Sequence, residues 1–205
     1  MKHYLSYVET AIKENWNKPA ITNYGANTLK FSNVAINVTK LHILFEQCGI
    51  KKGDHIAICA RSSAEWCVAF LAIASFEAVA VPLLSDFHPE NVLNLAKASE
   101  SKLMFVDNSV LSGMKRDNIV DKFADIDNFI ALVDIVTCNA VQGYEDALNV
   151  KVADIEKIYK ERYPLGFTVN DFNLNKGDIN DLSVMKMHDL RDLATQYGLQ
   201  RDELA

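Results

Sequence analysis

Glycine and proline are scarce, with 8 and 4 among 205 residues. That scarcity excludes a collagen-like chain and a disordered low-complexity one. No segment gathers several glycines, so no stretch has the composition of a backbone cradle for phosphate. Cysteine is sparse as well: Cys48, Cys59, Cys67 and Cys138 are scattered and form no Cys-x-x-Cys pair. Metal and redox-motif readings therefore lack their spacing. Three of the four sit in apolar stretches, where a free thiol behaves as a small hydrophobe. They read as reduced core thiols of a cytoplasmic protein. There is no basic block. Lysine and arginine number 21 against 27 acids, for a net charge of -6, so nucleic acid is a poor candidate partner. The opening "MKHYLSYVETAIKENWNKPA" carries acids and no uninterrupted apolar core, unlike a signal peptide. No apolar run approaches the roughly 20 residues that span a bilayer. A soluble chain is expected, with peripheral membrane contact left open.

Hydrophobic residues make up 49% and charged residues 23%, proportions that suit one large globular domain or one domain with an appendage. A first helix is predicted from about Tyr4 to Trp16. Two short strands follow, "AITNY" and "TLKF", around the turn Gly25-Ala26-Asn27. Ser32 is placed to cap the next helix, whose face carries Val34, Val38, Leu41, Phe45 and Cys48 at spacings of four, three, four and three. Gly49 stands where a left-handed helix end belongs. "KKGDH" turns into the apolar strand "IAICA". Ser62 and Glu65 have capping-box spacing and open a helix with Trp66, Ala69, Phe70, Ile73 and Phe76 on its buried side. "AVAV" is the next strand, and Pro82 is expected to end it. Pro89 suits the first turn of a helix from about Glu90 to Ser99. "KLMFVD" and "FIALVD" are two further strands, each closing on an acid, Asp107 and Asp134.

Strands alternating with helices over Ile50 to Asp134 predict an α/β fold: a mostly parallel sheet flanked by helices and joined by right-handed crossovers. Tyr144 to Tyr163 reads as mostly helical and surface-like. "PLGFTVNDFNLNKGDIND" is loop-rich, with turn signals at Gly166 and Gly177. The chain beyond Asp181 reads as polar, amphipathic helix. The predicted division is an α/β unit over 1–185 and a helical tail over 186–205.

The stretch Gly49 to Leu83, "GIKKGDHIAICARSSAEWCVAFLAIASFEAVAVPL", resembles the N-terminal subdomain of acyl-CoA synthetases in the adenylate-forming, AMP-binding superfamily. The pattern there is a Gly-x-x-x-Gly-Asp turn, an apolar strand, a small-residue helix with Glu-Trp, and a strand ending Val-Pro-Leu. Upstream, "TLKFSNVAINVTKLHILFEQCG" is similar to the helix that precedes this turn in the family. Downstream, "SDFHPENVLNLAKASESKLMFVD" looks like the fatty-acyl branch, with its Phe-x-Pro-x-Asn turn and Ser-Lys-Leu strand entry. Phe76-Glu77-Ala78 stands where the family usually has Ala-Gly-Ala, so Glu77 is expected to force a different local turn.

The resemblance implies a fatty-acid–CoA ligase of long-chain type, with ATP, Mg and coenzyme A as cofactors of the complete enzyme. "DLSVM", Asp181 to Met185, looks like the strand leading to the family's Ser/Thr-Gly-rich phosphate loop, yet "KMHDLRDLATQYGLQRDELA" follows instead. In that family a carboxylate attacks the α-phosphate of ATP, a transfer that depends on positioning and charge stabilisation. These 205 residues are therefore expected to be inactive alone, with no catalytic, cofactor-binding or metal-binding residue to assign. The implied partner is the remainder of the ligase or a self-associating copy.

Five residues have a functional reading beside a bland one. Trp66 could line an acyl tunnel, but beside Phe70 and Ile73 it reads as core. His88 before Pro89 reads as a helix-start residue rather than an acid–base. Asp107 and Asp134, at strand ends, read as turn or capping acids. A receiver-like or flavodoxin-like signalling domain would use Asp107 as phospho-acceptor, but the acidic pair and lysine it needs are not identifiable. Arg61 could hold an anion, and reads as a solvated surface group. A stand-alone, non-catalytic interaction module with this fold is the other alternative.

Overall fold

The computed structural model describes residues 4–26, 28–144 and 152–174. Helix α1 (Tyr4–Glu14) leads to a two-stranded antiparallel ribbon, β1 (Pro19–Thr22) and β2 (Thr28–Lys30). Then come α2 (Phe31–Gln47), β3 (His55–Cys59), α3 (Ala64–Ser75), β4 (Val79–Leu83), α4 (Pro89–Ala98) and β5 (Leu103–Val106). Helix α5 (Asn108–Arg116), a 3-10 turn (Val120–Asp125), β6 (Ala131–Asp134) and α6 (Val152–Arg162) complete the described elements. The predicted division at residue 185 and the helices beyond Asp181 lie outside the described residues.

Strands β3 to β6 are apolar on both sides, and a strand of that kind is stable only inside a sheet covered on both faces. They form one parallel sheet in the order β4-β3-β5-β6. Ile56 pairs with Ala80 on one side and Leu103 on the other, and Leu103 pairs with Ala131. The chain goes from β3 outward to β4, then reverses past β3 to β5 and β6. With right-handed crossovers, this reversal sends α3 to one face and α4 and α5 to the other. Helix α2 packs on α3, and α4 packs on α5. Phe45 of α2 is fully buried, edge-on to Phe76 at 5.3 Å and to Phe105 at 6.2 Å between ring centroids. Between α2 and α3, the buried His42 Nε2 lies 2.9 Å from Ser75 Oγ and 3.1 Å from the Ala72 carbonyl. Ser75 donates its hydroxyl to the Leu71 carbonyl at 2.6 Å, so the imidazole Nε2–H is the donor to Ser75 and the ring tautomer follows.

Four helices must each stop and turn back into a strand, and all four use one device. The second residue past the C-cap donates to the carbonyl five positions earlier: Ile50 to Phe45, Ala78 to Ile73, Ser101 to Ala96, Ile119 to Met114. The residue between adopts a left-handed conformation and donates to the carbonyl three positions back. This is the Schellman arrangement, which favours glycine. Only the first instance has it, Gly49 at φ +69°; the others are Glu77 at +62°, Glu100 at +51° and Asn118 at +54°. Glu77 thus makes the same tight turn that glycine would make, contrary to the expectation of a different one. Its carbonyl accepts from Gly53 N at 2.8 Å and its carboxylate meets Lys52 Nζ at 3.1 Å.

Other expectations move by small steps. The N-cap of α2 is Lys30, not Ser32: Asn33 Oδ1 accepts from Lys30 N at 2.9 Å, while the Ser32 N–H goes to the Trp16 carbonyl. The N-cap of α3 is Ser63 rather than Ser62, its hydroxyl accepting from Trp66 N at 3.1 Å. Glu65 therefore closes no capping box with Ser62; its carboxylate accepts from Asn23 Nδ2 at 3.0 Å, and Asn23 Oδ1 accepts from Ala64 N at 2.7 Å. The deeply buried side of α3 is Val68, Ala69, Ala72 and Ile73, with Trp66 and Phe70 at the core's rim. Pro82 lies inside β4, opposite Ile58, instead of ending it. Strand β4 is the sheet's edge, where a missing N–H faces no neighbour.

On the amino edge of the sheet, Asp54 Oδ1 meets Lys102 Nζ at 2.8 Å and Oδ2 accepts from Lys51 N at 2.7 Å. Burial pushes this carboxyl up, but the Lys102 hydrogen bond, the Lys51 N–H and the two lysine charges outweigh it. The net result holds Asp54 below its ordinary 3.8.

Two outcomes follow from these contacts. A β-branched side chain is a poor occupant of the left-handed region, so Glu77→Val should cost about 1–2 kcal/mol more than Glu77→Gly. Urea unfolding of the two variants measures this, and equal stabilities would remove the left-handed turn. A carboxyl with a lowered folded pKa contributes stability that is complete above its unfolded value and is lost as pH falls through the folded one. Stability should therefore decline below about pH 4 more steeply in the parent than in Asp54→Asn, as read from melting temperature against pH.

Candidate functional site

In an open parallel sheet, ligands collect beyond the carboxyl ends of the strands, at the point where the strand order reverses. Here that point lies between β3 and β5, flanked by the loop Ala60–Ser63 and the segment that begins at Asp107. Both carboxylate oxygens of Asp107 are taken: Oδ2 accepts from Arg61 N at 2.8 Å and Oδ1 from Val110 N at 2.9 Å. Arg61 Nη2 donates to Ser109 Oγ at 2.6 Å. The crevice is thus bridged by its own side chains. Asp107 caps α5, as the bland reading expects. Asp134 does parallel work after β6, where Oδ1 accepts from Val136 N, Thr137 N and Thr137 Oγ1 at 3.0, 2.7 and 3.0 Å.

The helix starts that face this edge are likewise occupied. Ser63 caps α3, and His88 Nδ1 accepts from Glu90 N at 3.4 Å at the head of α4. His88 Nε2 lies 3.7 Å from Asp117 Oδ2, beyond hydrogen-bond length and largely in solvent. The loops after β3, β4 and β5 contain no glycine, so no nest of exposed backbone N–H groups forms there. Among the described residues no group of three acids, histidines or cysteines gathers to hold a metal ion.

A concavity of about 190 Å³ lies beside the carboxyl end of β6. Its walls come from β2, the middle of α2, the first turns of α3, the Ile135–Cys138 loop and α6. The apolar part is Leu29, Leu41, Val68, Ile135, Val136 and Ile155; the polar part includes Asn37, Lys40, Glu65, Thr137 and Glu156. Lys40 pairs with Glu156, and its ammonium sits 5.0 Å over the Tyr159 ring. A second ion pair, Arg162 Nη2 to Glu46 Oε2 at 2.6 Å, ties the other end of α6 to α2. Cys138 lies against this cavity. Burial first, then the Asp134 charge, push its thiol up to about 11 despite Lys40. Burial pushes Cys48 to about 12, and burial with the Asp107 charge does the same at Cys59. Thiols so raised are not nucleophiles at neutral pH, in keeping with their reading as unreactive core groups.

Of the five residues singled out from sequence, the fold brings together only Arg61 and Asp107. Trp66 stacks on Phe70 at 5.4 Å and 7° between planes and does not line the cavity. Sequence reasoning missed Lys40, Glu156 and Asn23. The Lys40–Glu156 contact spans 116 positions, so no local pattern announces it. The one available signal was a lysine between the buried Val38 and Leu41.

No curated protein matches the chain. Among solved structures, an anthranilate CoA ligase in complex with anthranoyl-AMP superposes with a TM-score of 0.58 at 16% identity, over 72% of this chain and 27% of that one. A fatty acyl CoA synthetase of Mycobacterium tuberculosis gives 0.56 at 17%, over 73% and 29%. The coronafacic acid ligase of Pectobacterium brasiliense gives 0.54 at 18%, over 62% and 25%. At these identities the likeness shows the fold, and the chain spans about a quarter of the length of each. The model of the family described as AMP-binding enzyme matches residues 8–172, most of the chain and all of the parallel sheet: the protein belongs to the AMP-binding enzyme family.

Proposed function

We propose that this chain is the N-terminal α/β part of a long-chain-type fatty-acid–CoA ligase, which joins a fatty acid to coenzyme A at the expense of ATP. The observation that carries the reading is the ordered stretch Gly49 to Leu83. It folds as one turn, strand, helix and strand, from the inner strand β3 to the edge strand β4, within the matched family span. The fatty-acyl branch is supported by Phe87-His88-Pro89-Glu90-Asn91, which starts α4 with Pro89 in its first turn. On this reading residues 1–185 are the α/β unit, 186–205 a helical appendage, and the complete enzyme is cytoplasmic. ATP, Mg and coenzyme A bind residues other than those described here. No described helix is long and apolar enough to cross a membrane.

The partner in this reading is the remainder of the ligase, covering the carboxyl edge. Leu84 after β4 is 56% exposed and Val136 after β6 is 62% exposed, apolar side chains that a second subdomain would bury.

The 205-residue polypeptide should show no ATP–pyrophosphate exchange with any carboxylic acid, because no segment of its sequence gathers the glycines of a backbone cradle for the triphosphate. Exchange above blank would overturn that part. The product of the complete reading frame, given ATP, Mg and coenzyme A, should form the thioester of palmitate faster than that of anthranilate; the reverse preference would remove the long-chain assignment. Separately, the polypeptide should self-associate through its uncovered edge. Light scattering that gives a clean monomer at high concentration would count against this.

A further inference from the structure

We infer that the cavity between α2, α3, the β6 loop and α6 is a binding site for a small ammonium-bearing molecule with an apolar body. This site lies apart from the β3–β5 crevice, and of the residues that wall it only Val136 belongs to the edge that the proposed second subdomain would cover. At about 190 Å³ the space exceeds the roughly 150 Å³ of an apolar cavity that takes up benzene, so a single ring with a short polar arm matches it in size.

Charge selects the arm. Two carboxylates, Glu65 and Glu156, line the cavity against one ammonium, Lys40. Lys40 is already paired with Glu156 and lies over the Tyr159 ring, so an incoming anion would have to displace an existing partner. Glu65 is differently placed. Its Oε2 accepts from Asn23 Nδ2 at 3.0 Å, and among the described residues its Oε1 accepts nothing. The Asn37 amide, also in the wall, makes no hydrogen bond among the described residues. An ammonium donates up to three hydrogen bonds and accepts none, which is what an unclaimed carboxylate oxygen and an amide oxygen can receive. Leu41, Val68 and Ile155 supply the apolar wall for the body.

The test uses the 205-residue polypeptide and three isosteric probes: benzylamine, benzyl alcohol and benzoate. Backbone amide shifts in heteronuclear NMR report occupancy. Benzylamine should bind saturably in about the millimolar range, as expected for so few atoms. It should bind about tenfold tighter than benzyl alcohol, the worth of one charge-assisted hydrogen bond, and should shift the amides of Val68, Thr137 and Ile155. Glu65→Gln keeps the contact with Asn23 and should bring benzylamine down to the level of benzyl alcohol while leaving the alcohol's affinity unchanged. Benzoate binding best, equal affinity for amine and alcohol, no saturable shift by benzylamine, or undiminished amine binding in the variant would each overturn the inference. The comparison of probes on the parent chain decides the matter even if the variant does not fold.

Discussion

The constraint on which the structure rests is that its central strands have no polar face. Ile56, Ala57, Ile58 and Cys59 of β3 are all buried, as are Leu103 to Val106 of β5. Water on either side of such a sheet would forfeit roughly 25 cal/mol for each Å² of apolar surface left uncovered. Strands β3, β4 and β5 are therefore each followed by a helix that crosses a face and returns to the amino edge. The Schellman turns keep that return short, with three residues between α3 and β4 and four between α4 and β5. Three of the four place a glutamate or asparagine in the left-handed conformation, at about 1–2 kcal/mol for an ordinary side chain. The covered sheet supplies enough stabilisation to hold them there.

The same logic explains why the carboxyl edge looks as it does. Every helix that leaves it presents unpaired N–H groups, and on each this chain satisfies one or two with its own Ser63, Asn23, His88 and Asp107 side chains. A site that bound phosphate on helix ends would have to leave such groups vacant or present them from a glycine-rich loop. At the β3–β5 crevice the flanking loops carry no glycine, and Asp107 and Arg61 bridge the gap. Beside this edge Leu84 and Val136 stay exposed.

Helix α6 is held differently. It comes back over α2 through two ion pairs, Lys40 with Glu156 and Arg162 with Glu46, and the segment after it stacks Phe167 on Trp16 and sets it edge-on to Tyr163. Both pairs are partly exposed, and such pairs contribute little alone, so the aromatic contacts and the buried Ile155, Phe172 and Leu174 carry most of the attachment. The cavity is walled by this helix together with β2, α2, the first turns of α3 and the β6 loop.

Periodicity and apolar runs determined the order of the strands and of α1 to α4, the parallel character of the sheet and the assignment of Asp107, Asp134 and His88 to turns and helix starts, but not α5 (Asn108–Arg116) between the last two strands. Those signals are local: a 3.6-residue repeat, a strand-length apolar run, an acid at a strand end. Gly49 was legible as a left-handed helix end because glycine advertises it, whereas Glu77 and Glu100 carry no such mark and were read as something else or passed over. The position of β4 decided the role of Pro82, and edge position is a property of the whole sheet. Asn23 capping a helix 41 residues on, Lys40 meeting Glu156 across 116, and the cavity they border were decided by tertiary structure alone. Contacts between distant segments depend on how whole elements pack, and no local pattern of residue types encodes them.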